Sequence, residues 1–277
     1  MRLFALTVLA MLAFAGNSLL CRLALKTTAI DPATFTSIRI VAGALVLWLI
    51  VRMRAGATPR AGSWAGALSL CAYAAAFSFA YVSLGAATGA LLLFAAVQAT
   101  MVGYGWWRGE RLRGRRLAGF VLALAGLVGL VLPGLSAPPL AGAALMIGAG
   151  IAWGVYSLLG KNGGDPSSVT AGNFARAVVP ALAVSALFAS TLSLDGRGIV
   201  YATLSGAVTS GLGYVIWYAV LPGLGVSAAA VAQLSVPIIA AAGGVALLDE
   251  PLTLRLVAAA ILTLGGIALV VLPSRAR

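Results

Sequence analysis

The sequence predicts an all-α polytopic membrane protein, and three observations carry that prediction. Hydrophobic residues make up 62% of the 277-residue chain and charged residues only 9%, too few to cover a water-facing surface. The apolar residues gather into ten runs of about membrane-spanning length, a hydrocarbon core of about 30 Å taking roughly 20 helical residues. These runs lack the period-two alternation of barrel strands, and the connections between them are too short to hold a soluble domain.

The first run, 3–25, follows Arg2 and stops before Lys26. Arg2, the apolar stretch and Ala13-Phe14-Ala15 resemble a secretory signal with a small-residue cleavage site. The run continues well past Ala15, however, and the repeat described below needs it, so it is read as a retained helix. Ser18-Leu19-Leu20-Cys21 is no lipoprotein box, because Leu20 is too bulky before the cysteine. The second run, 33–53, opens after Asp31-Pro32 and closes at Arg52 and Arg54. Runs 62–84 and 86–107 are divided at Gly85, and a basic cluster from Arg108 to Arg116 separates the latter from 117–132. Run 140–160 ends at Lys161, run 169–194 follows Asp165-Pro166, and run 198–221 follows Arg197. The last two runs, 226–248 and 256–272, flank Asp249-Glu250-Pro251 and Arg255.

The 18 Lys and Arg against 6 Asp and Glu are read by position rather than as a sign of nucleic acid, since no basic patch is interleaved with stacking aromatics. With the amino terminus inside, twelve basic residues fall on the inner side: Arg2, Arg52, Arg54, Arg60, Arg108, Arg111, Arg113, Arg115, Arg116, Lys161, Arg275 and Arg277. Only Lys26, Arg197 and Arg255 fall outside. This asymmetry predicts that both termini are cytoplasmic, with Arg108 to Arg116 as a topology anchor on an anionic leaflet.

A shift of 140 residues lays Glu110-Arg111-Leu112 on Glu250-Pro251-Leu252, Gly126 on Gly266, and Val131-Leu132-Pro133 on Val271-Leu272-Pro273. Ser18 to Arg22 is echoed by Ser157 to Lys161, and each echo is followed by an Asp-Pro and then an embedded arginine, Arg39 or Arg176. The expectation is two five-helix repeats, 1–136 and 137–277. An odd helix number inverts the second repeat relative to the first, and a substrate site then falls near the midplane between them.

The pattern resembles the EamA-type transporters of the drug/metabolite transporter superfamily. Pro237, Asp249-Glu250-Pro251-Leu252 and Gly265-Gly266 match the family's most recognisable stretch, and Gly109-Glu110-Arg111-Leu112 matches it in the first half, where Val97 stands in place of the usual proline. Trp153 with Tyr156, and Tyr214 with Trp217, are similar to aromatic pairs of the family. The likeness is greatest to the YddG-type amino-acid exporters. It implies export of amino acids, aromatic ones among them, across a bacterial inner membrane.

The residues narrow the chemistry further. No histidine is present, and Cys21 and Cys71 are wrongly spaced for a metal site, so neither a metal nor another cofactor is expected. Gly154 to Lys161 fails as a P-loop because Asn162 replaces the Ser or Thr, and Gly148-Ala149-Gly150 lies within a membrane run rather than at a dinucleotide turn. All six acids fall at run ends or loops, which predicts a facilitator or exchanger without a titrating membrane carboxylate unless Glu110 or Glu250 turns inward.

Helical spacing selects candidate lining residues: Tyr73, Phe77 and Tyr81 in the third run, Phe94, Gln98 and Met101 in the fourth, and Gln233 and Pro237 in the ninth. The sixth run adds Trp153, the eighth Thr203, Ser210, Tyr214 and Trp217, and the first Phe14, Asn17 and Cys21. Rings, amides and hydroxyls of this kind suit an amphiphilic small molecule, although each also suits helix packing. Tyr104, Trp106 and Trp107 are read as an interfacial aromatic belt. Arg39 and Arg176 are candidates for a substrate carboxylate or for bonding carbonyls, and Pro237 and Pro180 for hinges. The expected partners are a small-molecule substrate and membrane lipids, with a monomer as the working unit. The competing readings are a transporter of another metabolite or drug class, a polytopic enzyme acting on lipid-linked substrates, which would need acids clustered on one face, and a channel, which would need a charged ring or filter loop.

Overall fold

The computed structural model describes residues 1–54, 61–109, 114–132, 134, 137–160, 165–224, 229 and 232–271. Arg60, Glu110, Arg111, Arg113, Lys161, Arg275, Arg277 and the opening of the ninth run lie outside the described residues. Among those described, the elements are ten long helices and short 3₁₀ turns, without a strand. They are α1 Arg2–Thr27, α2 Pro32–Met53, α3 Trp64–Tyr81, α4 Ala86–Trp107 and α5 Arg115–Val131. The second half comprises α6 Leu140–Gly160, α7 Pro166–Leu187, the rod α8 Gly196–Gly223, α9 Ser235–Leu248 and α10 Leu254–Val271. Eight of these are long and apolar enough to cross a bilayer, α5 and α9 being the shorter two.

The aspartates flagged at run boundaries turn out to be caps. Asp31 accepts the Ala33 and Thr34 N–H groups, and Asp165 and Asp195 accept those of Ser168 and Gly198. Pro32 and Pro166 occupy the first helical turn, where the missing N–H costs nothing. The cap explains why α7 opens at Pro166, three residues ahead of the predicted run; it stops at Leu187, and a 3₁₀ turn at Ala189–Thr191 replaces the predicted end. Burial pushes the Asp31 carboxyl up, but the bonds from Ser193, Thr34 and Ala33 outweigh it and hold the group below the usual carboxylate range. The Ser168 hydroxyl is the main cause of the same downward direction at Asp165.

Packing joins α2 to α7 and α8, α3 to α6 and α7, α1 to α8 and α9, α4 to α6 and α9, and α5 to α10. Small residues allow the closest crossings. A Cβ on Gly206 of α8 would stand 2.1 Å from the Arg39 carbonyl oxygen of α2, and one on Gly119 of α5 2.6 Å from the Gly266 carbonyl oxygen of α10. Large apolar side chains such as Leu45, Leu49, Val121, Val179, Leu182, Ile238, Leu247 and Ile261 are exposed on the outer faces. Such a surface is suited to hydrocarbon and not to water.

Two features depart from straight spans. The middle of α8, Ser205–Leu212, is π-helical between α-helical Gly196–Leu204 and Gly213–Val220. In the ninth segment helical residues 232–233 are interrupted at Leu234 before α9 begins. Pro237 lies in the first turn of α9, and its ring and missing N–H account for a break about four residues earlier. Pro180, by contrast, is carried within a continuous α7.

Candidate functional site

Midway along α3, Tyr73 is 4% exposed and is the hub of a polar and aromatic cluster. Its hydroxyl accepts bonds from Asn17 Nδ2 of α1 at 3.2 Å and from Arg39 Nη2 of α2 at 3.0 Å. Asn17 Oδ1 in turn accepts from the Ser205 hydroxyl at 2.7 Å, with Thr209 farther off at 3.4 Å. Arg39 Nε reaches the Ser210 hydroxyl at 3.4 Å. The π segment therefore supplies three side chains, Ser205, Thr209 and Ser210, to one network. Its wider turn also explains why Thr203, expected on the inward face, is exposed and Ser205 is buried instead.

The rings run on from this network without a gap. Tyr73 lies 5.4 Å from Phe77 and 4.8 Å from Trp153, and Phe77 meets Tyr81 edge-on at 4.7 Å. Trp153 stacks on Tyr156 at 5.3 Å and contacts Tyr214 at 5.2 Å. Tyr214 and Trp217 both meet Phe14 edge-on, at 5.9 and 5.8 Å, while Phe174 takes the far side of Tyr214 at 5.9 Å. Asn17, Tyr73, Phe77, Trp153, Tyr214 and Trp217 are thus brought together from α1, α3, α6 and α8. The rings touch one another, so the cluster is filled by its own side chains and a solute would enter by parting them.

Other residues singled out in the sequence lie elsewhere. Phe94 is buried in the apolar packing of α4. Gln98 lines a crevice between α4, α5 and α10 with Ala95, Phe120, Leu124 and Ile267. Gln233 is half-buried just ahead of Leu234. Tyr104, Trp106 and Trp107 are exposed at the end of α4, where the Arg108 guanidinium lies 6.0 Å from the Tyr104 ring; Trp48 and Arg52 make a similar pair at the same end of the bundle.

The two embedded arginines, matched in the sequence, differ in the structure. Arg176 is half-buried, and its Nη1 donates to the carbonyls of Ala61 and Gly172 at 2.8 and 2.9 Å. Arg39 is 1% exposed, with its guanidinium 5.2 and 5.0 Å from the Tyr73 and Phe77 ring centres. Asn173, which the sequence reading passed over, accepts the Ser63 N–H and ties α7 to the start of α3. An amide about one turn inside the run expected to open at 169 was the available signal.

Glu250 does turn inward. Its carboxylate pairs with Arg22 Nε at 2.8 Å and accepts the Ala86 N–H at 2.7 Å, at the start of α4. Arg22 also donates to the carbonyls of Tyr81 and Val82 at the end of α3. One ion pair thereby ties α1, α3, α4 and the α9–α10 connection across one end of the bundle. Asp249 beside it takes the left-handed backbone, φ 53°, that turns the chain out of α9.

An all-helical, lipid-faced bundle enclosing a mid-depth aromatic and polar cluster defines a polytopic membrane protein. Residues 140–272, the second half of the chain, match the model of the EamA-like transporter family. An uncharacterized protein of Pseudomonas aeruginosa is 57% identical over 277 residues, which covers 100% of this chain and 96% of that protein. An uncharacterized transporter of Archaeoglobus fulgidus is 27% identical over 278 residues, covering 95% of each chain. A solved crystal structure superposes with a TM-score of 0.68 at 20% identity, over 96% of this chain and 95% of that one, and so shares the fold.

Proposed function

We propose that this protein carries small amphiphilic metabolites, amino acids and aromatic ones among them, out across a bacterial inner membrane by alternating access. The observation that carries the reading is the cluster itself. Tyr73 and Asn17 from the first half meet Trp153 and Tyr214 from the second, at mid-depth, in a chain whose second half matches a transporter family. Rings take the apolar part of such a solute, and amide, hydroxyl and guanidinium groups take its polar end.

Two units, 1–136 and 137–277, inverted with both termini cytoplasmic, are the moving parts in this reading. Their support is the packing pattern. When each helix is exchanged with the one five places on, the α3–α6 contact becomes α8–α1, α4–α6 becomes α9–α1 and α3–α7 becomes α8–α2, all of which are present. The Arg22–Glu250 pair closes the end proposed to face outward, and the cluster lies below it. Asp31, Asp165 and Asp195 serve as helix caps, and Glu250, the one acid that turns inward among the described residues, is held by Arg22 and the Ala86 N–H at the end of the bundle and outside the cluster, which favours exchange or facilitated flow over proton coupling. The unit is proposed to work as a monomer without a cofactor.

Counterflow tests the reading. Liposomes holding the purified protein and an unlabelled amino acid should concentrate the labelled solute transiently and saturably. Absence of counterflow across a broad metabolite panel would move the reading to an enzyme, and stoichiometric proton movement with solute would overturn uncoupled exchange.

A further inference from the structure

Arg39 is a full positive charge placed at depth in a membrane bundle, and among the described residues no carboxylate pairs with it. A charge so placed is costly unless something answers it. Its Nε and Nη2 are used by Ser210 and Tyr73, and the faces of Tyr73 and Phe77 take part of the charge. Nη1 is buried with no hydrogen-bond partner, the sole buried side-chain nitrogen or oxygen in that position among the described residues. The Tyr73 hydroxyl accepts from both Arg39 and Asn17, so its own hydrogen is left for a further acceptor. Two unused donors, Nη1 and the Tyr73 O–H, therefore belong to one hydrogen-bonded pair of residues within the aromatic cluster.

We propose that Arg39 Nη1 and the Tyr73 hydroxyl form a carboxylate subsite, and that the carrier selects apolar organic carboxylates over the corresponding amides and amines. The inference rests on the carrier reading above and narrows its solute. A carboxylate accepts both donors at once and neutralises the buried guanidinium, whereas an amide supplies one neutral acceptor and an amine adds a second cation. Among the described residues no carboxylate reaches the cluster, so the site offers an ammonium group only ring faces and neutral amide and hydroxyl oxygens. A carboxylate lacking the ammonium is therefore held about as well as the amino acid of the same shape. Arg176, bonded to two backbone carbonyls, does not duplicate the subsite in the second half.

The test is binding to the full chain in detergent, read by tryptophan fluorescence, with four solutes of one shape: 4-methylpentanoate, leucine, 4-methylpentanamide and 3-methylbutylamine. The first two should bind comparably, and the amide and amine about tenfold or more weaker, as expected for loss of a charge-assisted pair. Arg39→Gln should weaken the carboxylate by about the same factor and leave the amide unchanged, and Arg39→Lys should restore part of the loss. An amide or amine that binds wild-type protein as tightly as the carboxylate would overturn the proposal, as would no binding of any of the four. Should Arg39→Gln fail to fold, the wild-type series alone decides. Carboxylate-selective binding without counterflow would sustain the subsite and remove the carrier reading, so the two failures are told apart.

Discussion

Arg39 and Tyr73 meet in two ways at once: Nη2 donates to the phenol oxygen at 3.0 Å, and the guanidinium lies 5.2 Å from the centre of the same ring. The hydroxyl end fixes the direction of the guanidinium while the ring face offsets part of its charge. Asn17 reaches the same oxygen, so three helices are joined at one atom.

Tyr73→Phe keeps every ring contact and removes that atom. It leaves Arg39 Nη2 and Asn17 Nδ2 without their acceptor in a buried site, and the expected cost is about 1–3 kcal/mol. Thermal unfolding in detergent checks this, with Tyr104→Phe at an exposed helix end expected to stay close to wild type. Equal melting temperatures for the two variants would remove the network from the stability argument.

Glu250→Gln should loosen the end of the bundle that Arg22 and Glu250 close. The amide can still accept the Ala86 N–H, but it cannot balance Arg22. Cys21, fully buried next to Arg22, reports the change in a Cys71→Ala background. Its labelling by a small thiol reagent should rise by about tenfold, the factor for 1.4 kcal/mol, and an unchanged rate would show that the pair does not hold this end shut.

The α2–α8 crossing predicts a contrast between two glycines. Gly206→Ala places a methyl group into the Arg39 carbonyl, where backbone and not a flexible side chain must yield, whereas Gly148 has open space around its Cβ direction. Gly206→Ala should lose about 1–3 kcal/mol or fail to fold, and Gly148→Ala should be close to neutral. Size-exclusion profiles and melting curves of the two variants decide it.

Acid should act on the cap of α2. The Asp31 carboxyl is held below its usual range in the folded protein, so its contribution is present above that range and is lost as pH falls through and below it. Melting temperature measured from pH 6 downward should fall less in Asp31→Asn than in wild type. An identical slope in both would show that Asp31 does not carry this part of the acid response.

Much of the architecture was legible because hydrocarbon imposes a length rule. Where the run boundaries carried Asp-Pro pairs, the helix starts at Pro32 and Pro166 followed directly. The facing of Tyr73, Phe77 and Tyr81 was legible from a spacing of four on a regular helix. The same rule misplaced Thr203, because one π segment changes the register for the residues around it and leaves no distinct signal in an apolar sequence. Gln98 shares a helix with lining candidates, yet it faces the α5–α10 pair, which only the packing reveals.

What the sequence alone determined was the class: membrane helices and the chemical types available at depth, since composition and run length follow directly from the solvent the chain must face. Tertiary structure decided which of those groups meet. Arg39 and Arg176 occupy matching places in the chain, yet one is bonded to backbone carbonyls and the other keeps an unused N–H among rings. That difference comes from neighbours supplied by distant helices, α3 and α8 for Arg39 and the segment before α3 for Arg176. Periodicity along a single helix cannot specify such neighbours.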